Sequence, residues 1–190
     1  MMLPSAAPMI LLYTAVKRKS EPEVEITSLS ALFLTGYLLI WAGFSLGAAG
    51  LQWALELRGL VSATMMTATS GALGGAILLA AGLYQFTPIK QACLRHCRSP
   101  VHFLAEHRRP GRMGALRMGV AHGIYCLGCC WFLMALLFFG GIMNLYWIVG
   151  LALFVVLERL MPHGHWLGYG AGAVLSAWGL WLLGSAAGIV

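Results

Sequence analysis

Long apolar runs alternate with short polar connections along the chain. The runs cover residues 1–16, 28–51, 67–87, 117–140, 142–157 and 166–189. Most approach or exceed the ~18 residues needed to cross a hydrocarbon core about 30 Å thick. A helix satisfies its own backbone hydrogen bonds, so apolar runs of this length predict helices rather than strands. The pattern therefore predicts an all-α fold: a polytopic transmembrane helical bundle of about six segments, forming one domain over residues 1–190. The first run is short, reaching only ~24 Å at ~1.5 Å per residue, and it contains Pro4 and Pro8. It also lacks a basic leader, so no cleavable signal peptide is expected. A brief amphipathic link holding Glu56 and Arg58 separates the second and third runs.

The basic residues sort by connection. Lys17, Arg18, Lys19, Lys90, Arg95, Arg98, Arg108, Arg109, Arg112, Arg117 and Arg159 all fall on or beside the first, third and fifth connections, and only Arg58 falls on the other side. The excess of Lys and Arg in cytoplasmic loops then orients the chain, with both termini outside the cytoplasm. The longest polar stretch, 88–116, is expected to be a basic cytoplasmic loop. The location that follows is a bacterial inner membrane crossed several times. The net charge of +6 thus concerns orientation in a lipid bilayer, and no nucleic-acid partner is expected.

Composition agrees with this picture. Only 9% of the residues are charged and 60% are hydrophobic, against about 25% charged in soluble domains. Glycine is abundant at 24 residues. The pairs Gly43/Gly47, Gly71/Gly75 and Gly119/Gly123 have the small-xxx-small spacing that lets helices approach closely. A compact bundle, with a membrane-protein partner or a second copy of the chain, is expected.

The chemistry concentrates in "HGIYCLGCCWFLM", residues 122–134. His122, Cys126, Cys129 and Cys130 stand three or four residues apart and share one stripe of a helix. That stripe is ~12 Å long, so two or three neighbours could hold one ion, with other helices completing the shell. Soft thiolates select copper(I), and imidazole also suits copper and zinc. Against this stands plain packing, since free cysteine behaves as a small buried hydrophobe. A second cluster, "CLRHC", places Cys93, His96 and Cys97 within one turn, as half of a usual zinc-type site. Met1 and Met2 offer thioethers at the outer face. Glu158 and Arg159 read as a boundary ion pair. His163 and His165 could meet one ion in a turn, and Asn144 reads as a bond to a neighbouring helix.

Three stretches carry a family resemblance: "MMLPSAAPMILLY" (1–13), "YQFTPIKQACLRHCRSP" (84–100) and "CLGCCWFLMALLFFGGIMNLYWIVGLALFVVLER" (126–159). Together the chain resembles a bacterial family of uncharacterised, predicted metal-binding integral membrane proteins. The resemblance implies a metal and a membrane, without a reaction. The expected function is therefore to bind a soft metal ion, copper(I), for storage, delivery or transfer to a membrane enzyme. The core ligands would be His122, Cys126, Cys129 and Cys130; Cys93, His96, Cys97, Met1 and Met2 would be secondary donors. The alternative is an accessory subunit of a membrane complex whose cysteines only pack. No carboxylate pair, nucleotide loop or nucleophile–base pairing speaks for an enzyme.

Overall fold

The structure is a computed structural model that describes residues 3–18, 22–60, 70–107, 109–141 and 143–188. Met1 and Met2 therefore lie outside the described residues. Helices account for nearly all of what is described: α1 (Leu3–Lys17), α2 (Glu23–Leu57), α3 (Gly71–Gln85), α4 (Pro88–Arg98), α5 (Pro100–Glu106), α6 (Gly111–Ala135), α7 (Leu137–Gly140), α8 (Leu145–Leu160) and α9 (Gly164–Ala186). The fold is all-α, and among the described residues there is no strand.

Helix starts follow local chemistry. Glu23 and Glu25 occupy the first turn of α2, where negative charge favours the helix dipole. Ser70 caps α3 by accepting from the Leu73 amide. Asn144 caps the start of α8 by accepting from the Trp147 amide at 3.3 Å, so its side chain serves its own helix rather than a neighbouring one. Thr87 caps α4, with Pro88 at its first position. Proline has no amide to continue the preceding helix. The chain bends by 64° between α3 and α4.

Among the described residues, each of the six apolar runs contains a helix. Three helical stretches are long and apolar enough to cross a membrane: Glu23–Leu57, Gly111–Gly140 and Gly164–Ala186. The bent pair Gly71–Gln85 and Pro88–Arg98 makes four if it counts as one span. α1 and α8 have 15 and 16 residues, below the ~20 of a straight crossing. By length and composition, three or four of these helices are candidate spans, against the expected six. The stretch expected as a loop, 88–116, is mostly helical, because one face of α4 carries the buried Lys90 and Leu94 and α5 buries Phe103.

Glycines set the two main helix contacts. α2 and α6 run parallel: Phe33 lies against Gly119, Gly36 against Leu116 and Val120, and Ile40 against Gly123. A Cβ at Gly119 would collide with the Phe33 carbonyl oxygen. α3 and α9 run antiparallel, with Gly75 on Gly179 and Gly82 on Gly172 and Ser176. The expected close approach holds for Gly119, Gly123 and Gly75. A Cβ added at Gly43 or Gly47 would meet no atom within 4 Å among the described residues, so this pair brings no described helix into close approach. α4 packs along α6, and the C-terminal end of α8 reaches the same place. The outward faces carry Leu46, Trp53, Leu145, Val149, Trp166 and Trp181, all exposed.

Candidate metal centre

The centre begins with the periodicity of α6. His122, Cys126, Cys129 and Cys130 fall on one stripe, and all four are buried, none more than 2% exposed. The far side of the helix presents Ile124 and Trp131 outward. Within the stripe, Cys129 Sγ lies 3.1 Å and Cys130 Sγ 2.9 Å from the Cys126 carbonyl oxygen. Tyr37 of α2 shares a hydrogen bond of 3.2 Å with Cys126 Sγ.

The two cysteine motifs, separate in sequence, meet here. The bend before α4 swings Cys93 and Cys97 onto α6. Cys97 Sγ stands 4.0 Å from Cys129 Sγ. Cys93 Sγ sits against Gly128, where an added Cβ would lie 2.7 Å from it. Glycine at 128 is thus what lets the thiol-bearing face of α4 approach. Cys93 and Cys97 are half-buried, while the three thiols of α6 are buried, so α4 forms the accessible rim of a five-thiol cluster. All five are free cysteines.

His96 does not join them. Its ring stacks on Tyr125 with centroids 4.3 Å apart, its Nδ1 is 2.9 Å from the Ala92 carbonyl oxygen, and its Nε2 is 3.7 Å from Glu106. His122 sits one turn from Cys126 in an aromatic cage of Phe103, Tyr37 and Phe33, with centroid distances of 5.3, 5.8 and 6.1 Å. Neither of its ring nitrogens has a hydrogen-bond partner among the described residues. His163 and His165 have ring centroids 6.4 Å apart at the start of α9.

Arg159 supplies what the sequence pattern missed. Its guanidinium, on a side chain only 6% exposed, donates from Nη2 to Cys129 Sγ at 3.0 Å and Cys126 Sγ at 3.1 Å. Cys130 Sγ is 3.9 Å away. The expected pairing of Glu158 with Arg159 is corrected. Consecutive helical residues point about 100° apart, and Glu158 turns instead to Lys90, at 2.5 Å. Lys90 also donates to Gln85. The signal available in sequence was the presence of two charges at the very end of an apolar run, where ionisable groups drawn into the bundle are costly and mark function.

Among the described residues, no group of three or more His, Cys, Asp or Glu side chains is arranged to hold a metal ion. The guanidinium lies against the buried sulfurs of Cys126 and Cys129. The donor chemistry nonetheless suits a soft cation. At ~2.3 Å per metal–sulfur bond, two sulfurs on one ion lie about 3.8–4.6 Å apart as the angle at the ion opens from tetrahedral to linear. The Cys97–Cys129 gap of 4.0 Å falls in that range, and it is nearly twice the ~2.05 Å of a disulfide.

No curated protein and no solved structure matches the chain. A family model does: the one described as PpoB2, copper chaperone, matches residues 1–182, a stretch that includes every thiol and Arg159. The chain belongs to the PpoB2 copper chaperone family.

Proposed function

We propose that the chain carries copper(I) within a membrane on its cysteine cluster and passes it to an acceptor. The observation that carries this reading is the convergence of α4 and α6, which sets Cys97 and Cys129 sulfurs 4.0 Å apart beside Cys126 and Cys130. Copper(I) is content with two or three soft ligands. A low coordination number leaves room for an incoming donor to bind before an old one leaves, which is what delivery requires. The half-buried thiols of α4 would form the exchange rim, and the buried thiols of α6 the inner seat. His122, whose ring nitrogens have no hydrogen-bond partner among the described residues, stands beside them as the neighbouring nitrogen donor of the stripe.

Detergent-purified protein should bind copper(I) at about one ion per chain in competition with a chromogenic chelator, and the Cys97 and Cys129 thiols should lose reactivity as the ion is added. Failure to take up copper(I) under anaerobic reducing conditions would return the cluster to a packing role.

The membrane reading extends to topology. α2 and α6 run parallel and α3 and α9 antiparallel, which are the relative directions that strict alternation of six segments demands. With the basic connections inside, both termini lie outside the cytoplasm. A cysteine introduced at the C-terminus, on a background lacking the native thiols, should react with a membrane-impermeant maleimide in intact cells. Protection until the cells are lysed would reverse the orientation.

A further inference from the structure

Arg159 is a buried cation placed against the sulfurs that the copper reading assigns to the cargo. Its Nη2 donates to Cys129 and Cys126 at 3.0 and 3.1 Å. The adjacent acid, Glu158, forms its own pair with Lys90 at 2.5 Å. We infer that Arg159 makes the site select a monovalent soft cation over a divalent one. The inference rests on the copper reading above.

The argument is a charge count in a place where charge is costly. Lys90 and Glu158 sum to zero by themselves. Two thiolates, one monovalent ion and one guanidinium also sum to zero. The same two thiolates and guanidinium with a divalent ion leave one positive charge in the interior. An uncompensated charge in a low-dielectric region carries a large desolvation penalty. Loading forms two metal–sulfur bonds, on Cys97 and Cys129. It releases the protons of those thiols to solvent, and the metal keeps its oxidation state. Arg159 does not ligate. It is a positioning residue that neutralises the anionic bis-thiolate complex, and it would shift only far enough to let the ion reach the sulfurs.

The count has a consequence that mere structural support does not share. Removing the cation should weaken the monovalent complex, which becomes a bare anion, and leave the divalent affinity nearly unchanged, because the free protonated site and the divalent complex each lose the same one positive charge. A residue that only held the helices together would weaken both. A site using three thiolates would also weaken both, because each complex would lose a compensating positive charge.

The test uses the full chain in detergent under anaerobic conditions, titrated separately with copper(I) and zinc(II) against chelators. In Arg159→Gln the ratio of copper(I) to zinc(II) affinity should fall by about tenfold or more, with the loss falling on copper(I). In Arg159→Lys, which keeps the charge, the ratio should stay within about threefold of wild type. An unchanged ratio in Arg159→Gln, or a parallel loss of both ions, overturns the inference while leaving the copper reading intact. Wild-type protein that takes up no copper(I) overturns both. A second measurement needs no variant. Silver(I) and cadmium(II) are both soft and differ in charge, so wild-type protein should prefer silver(I) over cadmium(II) more strongly than dithiothreitol does. An equal or weaker preference overturns the inference even if Arg159→Gln fails to fold.

Discussion

Cys129→Ser and Cys97→Ser should each weaken copper(I) binding by on the order of 100-fold or more, since each removes a thiolate from a site of low coordination number. Cys93→Ser should stay within about threefold of wild type, because that sulfur's shown contact is with Gly128 rather than with another sulfur. The two large effects come from residues on different helices, 32 positions apart. They are expected to be non-additive: once either sulfur is gone the pair no longer exists, so the double variant should lose little more than the single ones. Serine is close in size to cysteine, so the helical content of each variant should match wild type by circular dichroism, and that control separates ligation from folding. Competition against a chromogenic copper(I) chelator reads the affinities. A Cys97→Ser protein that binds as wild type does would sink the two-helix site and leave at most a site within α6 alone.

The α6 stripe was legible in the sequence because helical periodicity is local. Spacings of three and four residues place His122, Cys126, Cys129 and Cys130 together without knowledge of any neighbour. The apolar runs were legible for the same reason, and so were the glycine contacts at Gly75, Gly119 and Gly123. What periodicity cannot supply is which helix comes to lie against that stripe. The meeting of Cys97 with Cys129 depends on the 64° bend after α3 and on the missing side chain at Gly128. Each is a single small feature: a Thr-Pro start and one glycine among 24. The polar residues of 88–116 suggested a solvated connection. A few apolar and buried positions, Leu94 and Phe103 among them, bind much of it to the bundle as helix. Arg159 was hidden by its neighbour. An adjacent Glu–Arg pair invites the reading of a local salt bridge, yet the helix sends the two side chains to different partners, one to α4 and one to the thiols.

That division of partners makes the Lys90–Glu158 pair the second place where a large effect is expected. Both side chains are buried, at 0% and 1% exposed, and they tie the start of α4 to the end of α8 at 2.5 Å. Removing one partner of a buried pair leaves the other charge uncompensated and typically costs about 3–5 kcal/mol, whereas replacing both with apolar groups of similar volume is often close to neutral. Lys90→Met and Glu158→Leu alone should therefore each lower stability by about 3–5 kcal/mol, and the double variant should recover most of it. Reversible unfolding in mixed detergent micelles, followed by circular dichroism, measures this. The single variants should differ in their effect on copper(I). In Lys90→Met the Glu158 carboxylate is left uncompensated one residue from Arg159, and its negative charge offsets the positive field of the guanidinium at the sulfurs. Copper(I) affinity should then move in the direction expected for Arg159→Gln. In Glu158→Leu no such competitor appears, and Lys90 retains Gln85 as a partner, so copper(I) affinity should change less than in Lys90→Met. Equal stability in all four proteins would show that the pair bears no weight in the bundle. Equal copper(I) affinity in Lys90→Met and Glu158→Leu would separate the pair from the thiol site, leaving Arg159 to act on the sulfurs without a neighbour that sets its position.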